Sequence, residues 1–491
     1  MQKTIGYCFG MICLLAVLSA GCGGGSSSST SDDDTTTGTT VAGTLYQPNG
    51  TDPLPGALLY IPRSATAAQI AASKTASSVE VGVDCESAPS NAAFSTCSGA
   101  DGSFDLNITD CTDIDAANNQ IVIYVSKGAF DFTITITGTC TSTAQTIATE
   151  AADTTAPEIT TSSADLKIAI CSGAYDKMED VLGRMGLAPS DSDADGTPNY
   201  NGWDDSVNVN FNYFRGDYYA DTDFPSCCAL MSGDTVAITD SSGAAVNDSN
   251  GSPLSRSITD YDIVFVNCGN GCEPNMGGLT SVLDDAFADF TASNSTLRSY
   301  VNGGGALYIT DLSYDFIEQA FPEYIDFFSG GSGANAETAQ DAQVGIYGSG
   351  VFEPLASNVT QSALTDYLSS VDAGNTDCGT PSGTGALNSD NTVNICHFLS
   401  SWAVMIGLES GSTATNWVQG AAEFNGSDTN VGGGTITPGT TEIPLTVSFS
   451  HGSGSVLYTS YHTNNAAEQT TDFLPQERIL QFLILDLLGN L

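Results

Sequence analysis

Three groups of residues in this sequence have the types and spacing to do chemistry. The first is Asp191-Ser-Asp193-Ala-Asp195-Gly196-Thr197-Pro198-Asn199. Alternate aspartates aim three carboxylates at one point, Gly196 permits a sharp bend, Thr197 offers a carbonyl, and Asn199 offers a side-chain oxygen or a bridging water. That is the hard oxygen shell Ca²⁺ prefers. The twelfth position is Gly202, so Asp204 or Asp205 would have to reach in, and the expected affinity is weak, roughly 10⁻⁴–10⁻³ M. The competing reading is a solvated acidic loop. The second group is His462, which ends the apolar run 455–461, with Thr310-Asp311-Leu312-Ser313, which follows the run 306–309. A hydrolase could use Ser313 or Asp311 with His462, since unrelated folds assemble such triads. The plainer reading is preferred: Asp311 and Ser313 cap the helix that follows, and His462 is a strand-end residue. His397 and His451 have no motif around them.

The third group is the cysteines. There are fourteen, and setting aside Cys8, Cys13 and Cys22 near the N-terminus leaves eleven. Close spacing suggests the disulfides Cys85–Cys97, Cys111–Cys140 and Cys378–Cys396, formed in an oxidising compartment. Cys227, Cys228, Cys268 and Cys272 pair among themselves or with Cys171, with Cys228 and Cys272 as candidates. Connectivity is not written in spacing, and the odd total leaves at least one thiol over or bonded elsewhere. A zinc site is the rival, but Cys268-Gly-Asn-Gly-Cys272 lacks the paired CxxC spacing of structural zinc, so disulfides are expected.

Composition limits the partners. The chain has 491 residues, with 57 Asp+Glu against 11 Lys+Arg and a formal charge of -46. Such a charge repels nucleic acid, which is excluded as a partner. It also leaves too few cationic clamps for phosphate-handling chemistry. With 41% hydrophobic residues, the length allows real cores in more than one domain.

The N-terminus gives an address. Lys3, an apolar run to Leu18, and small residues before Cys22 make a secretory leader over 1–21. Residues 23–40 hold only Gly, Ser, Thr and the three aspartates Asp32, Asp33 and Asp34, so 22–40 is a flexible tether.

The elements that must hold the candidate sites follow in two blocks. Over 41–150 short alternating runs (41–46, 57–61, 103–108, 121–125 and 130–136) sit between turn residues, an all-β pattern. From about 160 to 491 the period changes. Apolar strands at 166–170, 262–267, 306–309 and 455–461 alternate with helical spacing over 175–185, 282–301, 314–320 and 475–488. Unbroken apolar strands alternating with helices predict a parallel sheet covered on both faces. The stretches about 187–257 and 330–450 are Ser/Gly/Thr/Asp-rich and read as insertions carrying extra strands or long loops.

Family resemblances add to these readings. Ser19-Ala20-Gly21-Cys22 resembles the lipobox of bacterial lipoproteins, which implies cleavage before Cys22, acylation of Cys22 and a lipid bilayer as partner. Gly23 in the next position implies outer-membrane sorting, possible surface exposure included. The strings Gly43-Thr-Leu-Tyr46, Pro53-Leu-Pro-Gly56-Ala-Leu-Leu-Tyr60 and Ala100-Asp-Gly-Ser-Phe104-Asp-Leu106 resemble the carboxypeptidase regulatory-like β-sandwich. The runs YDIVFVNCG, LRSYVNGGGALYITD and GSVLYTSYHTNNAAEQ look like the class I glutamine-amidotransferase-like fold, a three-layer α/β sheet of flavodoxin type. That family places a nucleophilic Cys on the turn after a strand. Here the turn reads Thr310-Asp311-Leu312-Ser313 without Cys, and the acidic partner position two residues after His462 is Asn464. Asp191, Asp193, Asp195, Thr197 and Asn199 resemble the calcium loop of thrombospondin type 3-like repeats, with Asp204 as the added ligand. Together these imply a non-catalytic, calcium-stabilised envelope lipoprotein that binds a glycan or a neighbouring envelope protein. A secreted hydrolase is the alternative.

Overall fold

The computed structural model describes residues 39–63, 85, 87–109, 120–127, 130–137, 145–148, 166–173, 176–187, 211–216, 224–240, 242–248, 250–269, 272, 290–328, 344–346, 354–374, 378–396, 398, 401–424, 428–429, 433–463 and 472–489. The leader, Cys22, most of the tether, Cys111, Cys140, His397, Asn464 and the whole acidic loop from Asp191 to Asp205 lie outside the described residues.

The first block forms two sheets. Thr39–Thr44 lies between Ser103–Ile108 (antiparallel) and Gln145–Ala148 (parallel). A second, antiparallel sheet runs in the order Ala92–Cys97, Leu58–Pro62, Gln120–Lys127, Phe130–Thr137. Alternation accounts for the register: Phe104, Leu106 and Ile108 are buried while Ser103, Asp105 and Asn107 are exposed. Gly102 adopts φ 73 and a Cβ there would sit 2.3 Å from the Leu45 carbonyl oxygen. Only glycine fits that turn.

The second block is a nine-stranded sheet, and it is mixed rather than parallel throughout. Five neighbouring strands run parallel: Gly454–Thr459, Ala306–Thr310, Ile263–Val266, Ile168–Cys171 and Phe211–Phe214. Beyond Gly454–Thr459 come Ile443–His451, Thr415–Gly420, Leu355–Val359 and Thr392–Ile395, each antiparallel to its neighbour. The stretches read from sequence as insertions therefore build much of the sheet. Residues 187–257 supply one edge strand, and 330–450 supply the four antiparallel strands almost entirely. Leu355–Val359 and Thr415–Gly420 were hidden because half-exposed strands with Ser, Thr, Asn and Gln carry a weak period.

The central parallel strands are buried at every position. Alternate side chains feed two separate cores. Ile168, Ile170, Ile263, Phe265 and Tyr308 pack on one face with Val181, Leu182, Ile479 and Leu483. Ala169, Val264, Val266, Leu307 and Ile309 pack on the other with Leu297, Val301 and Ile317. Among the described residues the helices are Met178–Arg184, a short Cys227–Met231, Phe290–Asn302, a short Asp315–Glu318, Ser362–Ser370 and Pro475–Gly489. The last starts on proline, whose missing N–H is no loss in the first turn. Among the described residues, none of these helices is long and apolar enough to cross a membrane.

The two blocks are joined by buried polar contacts. Lys127 pairs with Asp486 at 2.6 Å, Arg478 with Asp52 at 2.8 Å, and the Gln481 amide donates to Gln47 and Asp52 at 2.8 Å. Terminal-helix residues Ile479, Leu483 and Leu487 belong to the same apolar cluster as Leu59, Ile123 and Val125.

Disulfides join Cys85–Cys97, Cys171–Cys227, Cys228–Cys272 and Cys378–Cys396. Two of the spacing-based pairs and the Cys228–Cys272 candidate are present. Cys268 remains a thiol. Cys171–Cys227 closes 56 residues of sequence, so Cys171→Ala with Cys227→Ala should lower unfolding stability by about 2–4 kcal/mol. Urea midpoints of the oxidised wild type and the double variant check this.

Candidate functional site

Four of the parallel strands end at one edge of the sheet, and the residues just beyond their carboxyl ends converge. Asp176 follows Ile168–Cys171, Cys268 follows Ile263–Val266, Asp311 follows Ala306–Thr310, and His462 follows Gly454–Thr459. Open α/β sheets bind ligands in the crevice beyond the carboxyl ends of their strands.

Asp311 sits at the sharpest of these turns. It passes straight from strand into a 3₁₀ turn with φ 39, one of two non-glycine residues with positive φ among those described. Such a conformation costs on the order of 1–3 kcal/mol and persists only when neighbours over-determine it. They do: the Ala403 N–H donates to Oδ1 at 2.7 Å, and His462 Nε2 lies 2.9 Å from Oδ2. The Tyr458 hydroxyl donates to the Asp311 carbonyl at 2.9 Å. The Cys268 thiol faces the same Oδ2 at 3.7 Å. All three residues are buried: Cys268 and Asp311 are 0% exposed and His462 2%. Burial raises the Asp311 carboxyl above the usual carboxylate range. His462 and the Ala403 amide oppose that shift, and neighbouring Asp176 adds to it.

Asp176 ties the strand ends together. Its Oδ1 accepts the Thr463 N–H at 2.7 Å and hydroxyl at 3.0 Å, while Oδ2 accepts the Cys268 N–H at 3.2 Å and a short bond from the Thr310 hydroxyl. Behind it, the Asn267 amide donates to Glu179 at 2.9 Å, and burial raises the Glu179 carboxyl. Gly173 lets the Cys268 backbone approach: a Cβ there would lie 2.1 Å from the Cys268 carbonyl oxygen.

Of the residues singled out in sequence, Asp311 and His462 meet. Ser313 does not join them, because its hydroxyl donates to the Asn267 carbonyl at 3.0 Å. Neither Asp311 nor Ser313 caps the following helix with its side chain, as had been expected. The short helix has no side-chain cap, and the Asp311 side chain turns to Ala403 and that of Ser313 to Asn267 instead. Sequence reasoning missed Asp176 and read Cys268 as a disulfide partner, which it is not. The odd cysteine count signalled a leftover thiol but not which one, and Asp176 stands in no motif. The Ala403 amide comes from the 330–450 stretch, through the strand Ser401–Ala403.

No family model matches the chain, and no curated protein matches it. Among solved structures, Cytoplasmic Protein STM3548 from Salmonella typhimurium aligns with 46% of this chain and 72% of its own, at 10% identity and a TM-score of 0.24. A superposition that loose carries no argument about either fold or function.

Proposed function

We propose that this chain is an exported, lipid-anchored protein of a bacterial envelope, with an outer-membrane address, whose folded part has a binding or structural role rather than a hydrolytic one. In this reading the first block is a carboxypeptidase regulatory-like β-sandwich. The second is a three-layer, amidotransferase-like α/β domain with an extended sheet, and the loop Asp191–Asn199 holds Ca²⁺. The ligand class is a glycan or another envelope protein.

The observation that carries the non-hydrolytic reading is the commitment of the would-be reactive groups. Asp311 is 0% exposed with its carboxylate engaged by Ala403 and His462, and the Ser313 hydroxyl is given to a backbone carbonyl. A nucleophile must instead have its oxygen aimed at a substrate, with a base in reach. The disulfides among the described residues favour an oxidising compartment. The lipid address rests on the leader and Cys22.

One observation favours the alternative hydrolase: the left-handed φ of Asp311 at a strand-to-turn corner, beside His462, is where strained catalytic residues are found. The full chain, extracted from the envelope in detergent, decides between them when offered ester, amide and glycoside substrates. No turnover beyond that of a His462→Ala variant is expected. Turnover that His462→Ala abolishes would establish the hydrolase instead. Mass spectrometry of the same material should find the chain beginning at an acylated Cys22. An intact residue 1 without a lipid adduct would overturn the address.

A further inference from the structure

We propose that Cys268 Sγ, Asp311 Oδ2 and His462 Nε2 form a binding site for one thiophilic divalent cation of the Zn²⁺ class, with a fourth position left for water or an added ligand. The inference stands apart from the envelope reading, since it needs neither the leader nor the acidic loop.

The first support is geometric. The ligating atoms of the three residues all lie within 4.8 Å of one another. The carboxylate oxygen is 3.7 Å from the sulfur and 2.9 Å from the imidazole nitrogen. Zn–S, Zn–N and Zn–O bonds of tetrahedral sites place their ligand atoms roughly 3.3–3.7 Å apart. The sulfur–carboxylate distance already lies in that range, and opening the carboxylate–imidazole contact by on the order of half an ångström brings that pair into it.

A cysteine-nucleophile relay would look different. There the imidazole stands between thiol and carboxylate and gives one nitrogen to each. Here the carboxylate oxygen is the hub that faces both the sulfur and Nε2. Three donors around one point is the arrangement of a coordination site. The donor set also selects the ion: thiolate and imidazole favour Zn²⁺ and its neighbours over Ca²⁺ or Mg²⁺.

Supporting contacts hold the donors in place, as outer-shell partners of metal ligands do. The Ala403 amide fixes the second oxygen of Asp311 at 2.7 Å, and Asp176 holds the Cys268 and Thr463 backbones on either side. The site is built on strand ends, where positioning is rigid. The sulfur of Cys268 is not in a disulfide, whereas those of Cys227, Cys228 and Cys272 are.

The test uses the full chain, purified without oxygen so that the thiol survives, and titrated with Zn²⁺ against a chromophoric chelator and with Co²⁺ as a spectroscopic substitute. The expected result is one ion per chain with a thiolate-to-cobalt charge-transfer band in wild type. Cys268→Ala should abolish the band, and His462→Ala or Asp311→Asn should weaken Zn²⁺ binding by about 100-fold or more. Asp191→Asn, in the acidic loop, should leave both readouts unchanged. The wild-type cobalt spectrum needs no variant to fold. Absence of the band in folded wild type, or its persistence in Cys268→Ala, would overturn the proposal. Loss of Zn²⁺ binding in Asp191→Asn with the cobalt band absent would move the metal to the acidic loop and overturn it equally.

Discussion

Arg184→Met is expected to lower the unfolding free energy by about 3–5 kcal/mol, the cost of leaving a buried partner charge uncompensated. Arg184 closes the helix Met178–Arg184, and its guanidinium lies 2.6 Å from Glu477 in the first turn of Pro475–Gly489. The two side chains are 3% and 0% exposed. Glu477 also accepts the Leu474 N–H at 2.8 Å, so one carboxylate both caps the terminal helix and pairs with Arg184. Asp180 lies beside them, pushed up to about 8 chiefly by burial and by Glu179, with Arg184 opposing. Removing the guanidinium therefore strands one carboxylate and withdraws stabilisation from another. The arginine further stacks 5.2 Å from the Phe473 ring, and its carbonyl accepts from Asn49 of the first block at 3.2 Å. Adding Glu477→Gln, which retains an oxygen for the Leu474 amide, should recover part of the loss. A double-variant cycle with urea denaturation measures the coupling. Additive single effects would show that the contact contributes nothing of its own.

How much of this was legible in the sequence follows from what each feature depends on. The four central strands and the terminal helix were readable within a few residues, because strands buried on both faces must be apolar at every position and a proline start marks the helix. Turn chemistry placed the strands around Gly102 for the same local reason. Two of the four antiparallel strands, Leu355–Val359 and Thr415–Gly420, were not separable from loop because they carry Ser, Asn, Gln and Thr on half-exposed faces. At the site, His462 and Asp311 were found because each ends an apolar run. Cys268 also ends such a run, at Ile263–Val266, yet four nearby cysteines made it look like a disulfide partner. Which sulfurs meet is decided by tertiary distance, as Cys171–Cys227 and Cys228–Cys272 demonstrate. Asp176 binds three strand ends that lie 92, 134 and 287 residues away in sequence, a role that no local pattern encodes.

Stability should fall as the pH rises from about 4 to about 8, and Asp315→Asn should remove a large part of that fall. Asp315 opens the short helix Asp315–Glu318 and is 1% exposed. Burial pushes its carboxyl up to about 7 from an ordinary 3.8, with a bond from Tyr314 opposing the shift. The sign follows from proton counting. Between those two values the folded chain keeps a proton that the unfolded chain has released, so raising the pH favours unfolding across that window. Above it the penalty is complete, at about 4 kcal/mol for this group. Asp180 acts in the same direction and carries the window on to about 8. Asparagine keeps the shape of the protonated acid without the ionisation. The variant should therefore match wild type near pH 4 and exceed it by several kcal/mol, roughly 3–4, at pH 8. It should retain the slope that belongs to Asp180 and to the raised Asp311 and Glu179 carboxyls, and Asp180→Asn in the same background should lessen what remains. Urea midpoints across this range provide the measurement. Parallel profiles for wild type and Asp315→Asn would mean that the carboxyl is ionised in the folded chain and finds its compensation elsewhere.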